Sequence, residues 1–318
     1  MKRAFVFPGQ GSQAVGMGRD LATAFAAARD LFGEVDDAVS RRLSRLMFEG
    51  PEGDLTLTEN AQPALMAASL AVMRVLEAEG RLVLTRDVAY VAGHSLGEYS
   101  ALAATCALGV GDAARLLKLR GQAMQEAVPL GEGAMAALLG LDVEAARSVA
   151  AEASCRENGP DEVCAVANDN APGQVVVSGH RGAVERAIVI ARGRGARRSI
   201  ILPVSAPFHS PLMAPAAEVM EEALDRVALR APVVPLVANV SATAIRDPTA
   251  IKRRLVGQVT AMVRWRESML FLRAAGVEEV VEIGVGRVLC GLVKRIDPAF
   301  SARAVGTPTE VEALIKDL

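Results

Sequence analysis

Apolar residues follow two alternating patterns along this chain. Short unbroken apolar runs predict buried strands at residues 4–7, 88–92, 233–238 and 279–283. Between these runs, apolar residues recur every three or four positions, which predicts helices. The helical stretches are residues 21–46, 63–76, 97–108, 111–128, 211–227, 248–258, 265–275 and 288–295. Strands that alternate with helices favour an α/β fold with a mostly parallel sheet and helices on both faces.

The pattern changes between residues 130 and 200. There the predicted order is strand, helix, two strands, helix and strand, which is the order of the ferredoxin-like split β-α-β motif. The predicted elements are residues 135–141, 143–153, 163–168, 174–179, 183–192 and 199–203. We therefore expect an inserted small domain at residues 130–200, within an α/β domain that comprises residues 1–129 and 201–318.

Composition excludes several classes of protein. A chain of 318 residues, 51% of them hydrophobic, can bury a large core. The formal net charge of −2 gives no bulk basicity for binding nucleic acid or an anionic membrane. The apolar run before Pro8 is too short for a signal peptide, and no apolar stretch reaches the roughly 18 residues that span a bilayer. Four widely spaced cysteines indicate reduced thiols rather than disulfides or a metal site, so we expect a soluble cytoplasmic protein.

Ser95 lies where the apolar run at residues 88–92 meets a helical stretch. The sequence Gly93-His94-Ser95-Leu96-Gly97 fits the nucleophile-elbow pattern G-x-S-x-G in its strand–turn–helix context. Its glycines indicate a tight turn, and the amide of Leu96, at a helix start, is a candidate donor to an oxyanion. The alternative is a glycine-flanked serine in an ordinary turn between a strand and a helix.

A serine nucleophile needs a base, and the sequence contains three histidines. His94 precedes Ser95 on the incoming strand, so we expect its side chain to project to a different side. His180 follows a strand of the predicted insertion and is interpreted as solvated or structural. His209 precedes Ser210, a candidate helix N-cap, and the positive end of the helix dipole would keep its imidazole neutral. We predict His209 as the base, with a surface loop histidine as the alternative; no acidic partner can be assigned from the sequence.

Arg120 falls within the apolar stripe of the predicted helix at residues 111–128. It lies four residues from both Leu116 and Met124, whereas Arg115 occupies the other side. A guanidinium directed inward requires a negative partner, and its planar fork suits a carboxylate held by two hydrogen bonds. Beside a serine nucleophile, this predicts an acyl substrate that carries a carboxylate. A structural pair with an internal Asp or Glu is the alternative.

The turn after the first strand offers a competing interpretation. Its sequence GQGSQA at residues 9–14 fits the dinucleotide-binding fingerprint G-x-G-x-x-G/A. That fold requires a second strand ending in an acidic residue about 20 residues later. Residues 21–46 are helical in pattern instead, so a nucleotide cofactor is disfavoured.

Several longer motifs occur together in one order. They are FVFPGQGSQ at 5–13, ENAQPAL at 59–65, GHSLGEYSAL at 93–102, RGQAMQEAVP at 120–129, NDNAPGQVVVSGH at 168–180, PVSAPFHSPLM at 203–213 and EIGVGRVLCGLVKRI at 282–296. In these motifs, which span nearly the whole chain, the sequence resembles the malonyl-coenzyme A:acyl carrier protein transacylases of fatty-acid synthesis, relatives of the polyketide synthase acyltransferase domains. The resemblance implies an α/β-hydrolase-like core with an inserted ferredoxin-like domain. It also implies ping-pong transfer of malonyl from malonyl-CoA to the pantetheine thiol of acyl carrier protein.

The same resemblance implies roles for single residues. Ser95 is expected to be the nucleophile and His209 the base. The backbone amides of Gln10 and Leu96 are expected to form the oxyanion hole. In this family a main-chain carbonyl orients the histidine, and the matching residue here is Gln258, which would explain the missing acid.

Substrate and partner choice also follow from the resemblance. Arg120 is expected to bind the malonyl carboxylate, and Phe208 matches a pattern that goes with malonyl over methylmalonyl. We expect a monomer with no metal and no cofactor beyond malonyl-CoA and CoA as substrate and product. The carrier protein is acidic in this family, and the candidate contacts are Arg192, Arg194, Arg197, Arg198, Lys294 and Arg295. The alternatives are a serine thioesterase, an acyltransferase serving malonate decarboxylase or a polyketide pathway, and an inactive acyl-binding protein.

Overall fold

The computed structural model describes residues 1–156 and 159–318. Within them the strands are β1 (Arg3–Phe7), β2 (Tyr90–Gly93), β3 (Gly133–Leu139), β4 (Cys164–Ala171), β5 (Gln174–His180), β6 (Arg198–Ile201), β7 (Leu236–Ala238), β8 (Thr243–Ile245), β9 (Glu279–Ile283) and β10 (Ser301–Val305). The helices are α1 (Arg19–Ala24), α2 (Ala26–Val39), α3 (Leu43–Glu49), α4 (Glu52–Thr56), α5 (Thr58–Ala78), α6 (Leu84–Asp87), α7 (Gly97–Ala104), α8 (Val110–Glu126), α9 (Val143–Ser154), α10 (Arg181–Gly193), α11 (Ala214–Asp225), α12 (Pro248–Thr260), α13 (Trp265–Ala274), α14 (Val288–Ile296) and α15 (Pro308–Ile315). A single 3-10 turn at Pro211–Met213 precedes α11 among the described residues.

The larger sheet is mostly parallel. Its strand order is β10-β9-β1-β2-β7-β8, and of these strands only β8, which returns from β7 as a hairpin, runs antiparallel. β1 and β2 are central, and every residue of β1 is buried. The alternation of apolar runs and helical stretches is thus confirmed as a mixed α/β fold with a mostly parallel sheet.

Helices cover both faces of this sheet. Side chains alternate across a strand, so Phe5 and Phe7 of β1 pack into one apolar cluster, together with Leu65 of α5. Val6 faces the other way, into a cluster that contains Trp265 of α13. Because apolar side chains cover both faces of the sheet, its central strands occur in the sequence as unbroken apolar runs. Among the described residues, no helix is both long enough and apolar enough to cross a bilayer.

The smaller sheet is antiparallel, with the strand order β4-β5-β3-β6. All four strands come from residues 133–201, and helices α9 and α10 pack against them around a separate apolar cluster. We call residues 133–201 the small unit and the remainder, which carries the six-stranded sheet, the larger unit. β4 also touches the larger unit. There the amide of Val263 donates to the carbonyl of Ala167, and Asp169 pairs with Arg266 at 2.8 Å.

The prediction of one continuous helical stretch at residues 21–46 is wrong. The segment forms α1, α2 and α3, because Phe25 is extended, with φ −127°, and Ser40 adopts a left-handed φ of 51°. The apolar pattern also missed α4, α6, β8, β10 and α15. β10 lies at the sheet edge with only Val305 fully buried, so it carries no unbroken apolar run.

Candidate active site

Ser95 stands in a strained turn between β2 and α7. Its backbone has a left-handed φ of 54°, which is uncommon for a residue with a side chain. A Cβ on Gly93 would lie 1.9 Å from the backbone of Gly97, and one on Gly97 would lie 2.3 Å from the carbonyl of Phe7. Both positions therefore require glycine. The turn has the geometry that the G-x-S-x-G pattern predicts.

The loops after three adjacent parallel strands meet at Ser95. Gln10 follows β1, Ser95 follows β2 and Asn239 follows β7. The Ser95 amide donates to Oδ1 of Asn239 at 2.8 Å, and Nδ2 of Asn239 donates to the carbonyl of Gly93 at 2.7 Å. The carboxyl ends of parallel strands are where open α/β sheets bind ligands, so the serine lies at the expected edge.

His209 meets the serine directly. Its Nε2 lies 2.8 Å from Oγ of Ser95, and its Nδ1 donates to the main-chain carbonyl of Gln258 at 2.8 Å. Because Nδ1 holds the proton against that carbonyl, Nε2 is left as the acceptor from the serine hydroxyl. Burial, reinforced by the charge of Arg120, lowers the pKa of His209 to about 3. The imidazole is therefore neutral at pH 7, as a base must be.

The physical reason that the sequence suggested for this neutrality is wrong. Ser210 does not cap a helix with its side chain, since its Oγ donates to the carbonyl of Pro207 at 2.7 Å. The following element is only the short 3-10 turn at Pro211–Met213. Burial of the imidazole, rather than a helix dipole, lowers its pKa.

The other two histidines have different partners. Nε2 of His94 lies 2.9 Å from Oδ1 of Asn170 in the small unit, although His94 lines the same cavity as Ser95. Nδ1 of His180 accepts from the amide of Val163 at 2.9 Å, a structural contact at the end of β5. His209 is the histidine whose ring meets the serine hydroxyl.

Arg120 points inward from α8, as its position in the apolar stripe predicted. It is 1% exposed. Nη1 donates to Oε1 of Gln62 at 2.8 Å, and Nη2 donates to Oε1 of Gln258 at 2.9 Å and to Oγ of Ser95 at 3.1 Å. These acceptors are uncharged, and Nε finds no hydrogen-bond partner in residues 1–156 and 159–318. In the described part of the chain, Arg120 therefore forms no hydrogen-bonded ion pair with an internal Asp or Glu, which was the structural alternative.

A cavity of about 760 Å³ opens over these groups. Its walls include Gln10, Gln62, His94, Leu96, Met124, Met135, Asn168, Asn170, Val176, Leu202, Val204 and Phe208, from both structural units. Within the described residues, the amides of Gln10 and Leu96 donate to no backbone oxygen. The ring of Phe208 is largely buried in the wall beside His209. No group of three or more His, Cys, Asp or Glu side chains is placed to hold a metal ion in the part of the chain that the structure describes.

Sequence reasoning missed four polar residues of the site. Gln62 and Asn170 lie inside the motifs ENAQPAL and NDNAPGQVVVSGH, where nothing distinguished them from their neighbours. Asn239 follows an apolar strand directly, which is a signal for a site residue at a sheet edge. Glu98 is a charged residue in the otherwise apolar helix α7, the same signal that singled out Arg120.

Comparison with known proteins supplies further findings. The acyl transferase domain family matches residues 4–307. The malonyl CoA-acyl carrier protein transacylase of Bacillus subtilis (strain 168) is 46% identical over 317 residues, which cover 100% of this chain and 97% of that protein. An acyl-carrier-protein-S-malonyltransferase crystal structure from Bartonella henselae has a TM-score of 0.96 and 53% identity, covering 100% of this chain and 99% of the other. A malonyl-transacylase solved in complex with its type II PKS acyl-carrier protein has a TM-score of 0.95 and 41% identity, with 100% of both chains covered.

Proposed function

The chain belongs to the acyl transferase domain family, among its malonyl CoA-acyl carrier protein transacylases, and on that basis we propose that it transfers malonyl groups from malonyl-CoA to acyl carrier protein for fatty-acid synthesis. One observation carries this function to the chain's own residues. The Oγ of Ser95 lies within hydrogen-bond distance of both a neutral imidazole and a buried guanidinium. A nucleophile, a base and a carboxylate-binding group therefore meet at one atom.

The two structural units correspond to a catalytic domain and an insertion in this proposal. Residues 1–129 and 201–318 form an α/β-hydrolase-like core, supported by the elbow after a central parallel strand. Residues 130–200 form a ferredoxin-like insertion, supported by the antiparallel order β4-β5-β3-β6 with two helices on the sheet. We also propose that the protein acts in the cytoplasm as a monomer, with no metal and with malonyl-CoA and CoA as substrate and product only; Ser95, His209 and Arg120 of a single chain supply the nucleophile, the base and the carboxylate-binding group.

The first half-reaction is malonylation of Ser95. His209 takes the hydroxyl proton on Nε2 as Oγ attacks the thioester carbonyl, and the resulting oxyanion accepts from the amides of Gln10 and Leu96. The bond from carbonyl carbon to sulfur then breaks. The imidazolium returns its proton to the sulfur of CoA, which leaves the malonyl ester on Ser95.

Arg120 selects an acyl group with a nearby carboxylate. Its Nη2 is only 3.1 Å from the nucleophilic oxygen, so an anion that pairs with it must lie close to the reacting carbonyl. Malonyl, in which one methylene separates the carbonyl from the carboxylate, meets this requirement. A neutral acyl group would leave the buried guanidinium without an anionic partner.

The substrate carboxylate also improves the base. The positive charge of Arg120 is one cause of the low pKa of His209. A malonyl carboxylate paired with Arg120 cancels that charge, so the pKa of the imidazole rises toward its ordinary value. A general base works best when its pKa lies near the operating pH, and a malonyl thioester is therefore favoured over acetyl in the chemical step as well as in binding.

The second half-reaction repeats these steps with another thiol. The pantetheine thiol of acyl carrier protein gives its proton to His209 and attacks the malonyl ester. The bond from Oγ to the carbonyl carbon breaks, and Ser95 regains its proton. The covalent intermediate lets two bulky thiols use one site in succession.

Intact-mass measurement tests the covalent step. Mixed with malonyl-CoA, the protein should gain roughly 86 Da, the mass of one malonyl ester. Ser95→Ala should abolish the gain, and an undiminished adduct in that variant would reject Ser95 as the nucleophile. Addition of acyl carrier protein should remove the adduct and malonylate the carrier. Release of free malonate at a matching rate without any thiol would identify a thioesterase instead.

Two exposed groups of cations are the proposed contact with the acidic carrier protein. Gln174, Leu139 and Arg198 are in register across β5, β3 and β6, and Arg295 of α14 donates to the Gln174 side chain at 2.5 Å. Cations of the small unit and of α14 therefore lie at one end of the small sheet. Arg194 is the exception, because it is already paired with Glu152.

Charge reversal tests this contact. Arg198→Glu combined with Lys294→Glu should slow transfer to the carrier protein at low salt while malonylation from malonyl-CoA is unchanged. An unchanged rate of carrier malonylation at low salt would remove this surface from the proposal. Carrier proteins of fatty-acid and polyketide synthesis serve as parallel acceptors, because the malonyl-transacylase of 41% identity was solved with a type II PKS carrier.

A further inference from the structure

Glu98 is a buried carboxylate that the proposed mechanism does not use. It lies in α7, three residues after Ser95, and is 1% exposed. Oε1 accepts from the backbone amide of Asn239 at 2.8 Å, and Oε2 accepts from Nε2 of Gln258. Both carboxylate oxygens thus act as acceptors for groups that themselves touch the active site.

Gln258 connects this carboxylate to the reacting groups. Its Nε2 also donates to the carbonyl of Ser95 at 3.0 Å, its Oε1 accepts from Arg120 at 2.9 Å, and its main-chain carbonyl accepts from His209 at 2.8 Å. Arg120 can only donate, whereas an ionised Glu98 can only accept. The amide of Gln258 therefore has one orientation that satisfies both neighbours.

The second carboxylate oxygen supports the serine turn. Glu98 holds the backbone of Asn239, whose side chain accepts from the Ser95 amide and donates to the Gly93 carbonyl. Ser95 has an unfavourable left-handed backbone, so its turn persists only if surrounding bonds hold it. One carboxylate thus braces both the elbow and the residue that links Arg120 to His209.

We propose that Glu98, in its ionised form, is a positioning residue for acyl transfer: it fixes Gln258 and Asn239, and through them the geometry of Ser95, His209 and Arg120. This inference rests on the proposed transferase function. Protonation of Glu98 would place an O–H toward a group that is itself a donor, either the Asn239 amide or the Gln258 amide. One of the two contacts would then be lost, and the acylation rate would fall.

The groups around Glu98 determine the pH range in which it gains a proton. Arg120 faces it from α8 and Arg254 from α12, and Tyr99 follows it in α7. His209 is connected to it through Gln258. Both arginines favour the carboxylate, but burial outweighs them and raises the pKa of Glu98 to about 7. In the protein without substrate, His209 has a pKa far below this value, so a fall in kcat/KM between about pH 6 and 8, which reports on groups of the free protein, would report on Glu98.

The experiment measures kcat/KM for Ser95 malonylation by rapid quench, at malonyl-CoA concentrations well below KM and between about pH 5.5 and 8.5, because this constant reports the pKa values of the free protein. The wild-type rate should fall as the pH falls through about 7, because Glu98 gains a proton. Glu98→Gln should be about 10- to 100-fold slower at high pH, and its rate should not show this acidic limb. Glu282→Gln is the matched control, since Glu282 is also buried and accepts two backbone amides, from Leu289 and Cys290, away from the cavity. It should keep the wild-type limb.

A mutant cycle tests whether Glu98 acts through Gln258. In a Gln258→Met background, Glu98→Gln should slow malonylation by less than about fivefold, because the amide that it positions is gone. Equal effects in both backgrounds would overturn the action of Glu98 through Gln258, because the bond to Asn239 is the same in both. A wild-type profile that is flat through pH 7 would overturn the whole proposal, and this result needs no variant to fold. Failure of the proposed function is distinct, because the wild-type protein would then form no malonyl adduct at any pH.

Discussion

Replacement of Arg120 by methionine tests carboxylate binding when a malonyl and an acetyl thioester are compared, because the bonds to Gln62, Gln258 and Ser95 are lost for both substrates. Methionine is unbranched, apolar and close in length, so it fills most of the space that the arginine leaves. The guanidinium is 1% exposed, and its hydrogen-bond acceptors in residues 1–156 and 159–318 are neutral oxygens, so we expect the incoming malonyl carboxylate to be an anionic partner that it otherwise lacks. Truncation of one member of a buried charge pair costs 2–5 kcal/mol or more. Because binding must loosen bonds that Arg120 already makes to Gln62 and Gln258, we expect about 2–4 kcal/mol.

At about 1.4 kcal/mol per factor of ten, this range predicts a roughly 30- to 700-fold fall in kcat/KM for malonyl-CoA. Acetyl-CoA has no carboxylate to lose, so its kcat/KM should fall only through the lost bonds to Ser95 and Gln258, and by a clearly smaller factor than that of malonyl-CoA. The assay is rapid-quench intact mass with both thioesters. Arg115→Met is the matched control, because Arg115 lies on the exposed side of the same helix, where it pairs with Asp112. It should leave both rates unchanged.

The ratio of the malonyl-CoA rate to the acetyl-CoA rate tests whether Arg120 binds the substrate carboxylate. Equal losses for malonyl and acetyl thioesters would show that Arg120 only holds the Ser95 hydroxyl and does not bind the substrate carboxylate.

Three further outcomes are expected. The pKa of His209 is about 3 in the folded protein, so between about pH 4 and 6.5 the unfolded chain binds a proton that the folded protein does not, and wild-type stability falls as the pH falls. His209→Gln should therefore reduce the slope of the unfolding free energy against pH in this range by up to about 1.4 kcal/mol per pH unit. Chemical denaturation at several pH values measures this slope. Gly97→Ala should lower Tm and abolish malonylation, because the added Cβ would lie 2.3 Å from the carbonyl of Phe7. Gly33→Ala is the control: its added Cβ meets open space, so this variant should gain about 0.5–1 kcal/mol of stability. Equal Tm values for the two variants would contradict this prediction. Phe208→Ala should raise the ratio of methylmalonyl to malonyl transfer about 10-fold or more in a competition assay, and an unchanged ratio would remove the ring from substrate selection.

The sequence predicted the parts of the fold that depend on near neighbours. Apolar runs located β1, β2, β7 and β9, whose residues are buried on both faces of the sheet. Edge strands β8 and β10 escaped prediction because their residues are partly exposed and carry no continuous apolar pattern. Phe25 and Ser40 divide a helical stretch through backbone angles that its apolar spacing does not encode.

The active-site residues also divide into those that the local sequence predicts and those that depend on the tertiary structure. Two glycines around a serine specify a strained turn locally, the scarcity of histidine limits the base to three candidates, and the misplaced charge of Arg120 marks it as inward-facing. These inferences need only a few consecutive residues, because turn geometry and helical faces repeat over short distances. Gln258 as the support of the histidine came from the family resemblance, and its main-chain carbonyl does lie against His209.

The side-chain connections required the tertiary structure. Ser95 and His209 are 114 positions apart, and Gln258 is 163 positions from Ser95, so their contact depends on how β2, the loop before α11 and helix α12 pack. The sequence marked a hydroxyl, an imidazole and an arginine, but it did not contain the reason that the imidazole is neutral, which is burial by segments from across the chain. It was equally silent on the Glu98 network, since a carboxylate becomes a shared acceptor only after folding places Asn239 and Gln258 against its two oxygens.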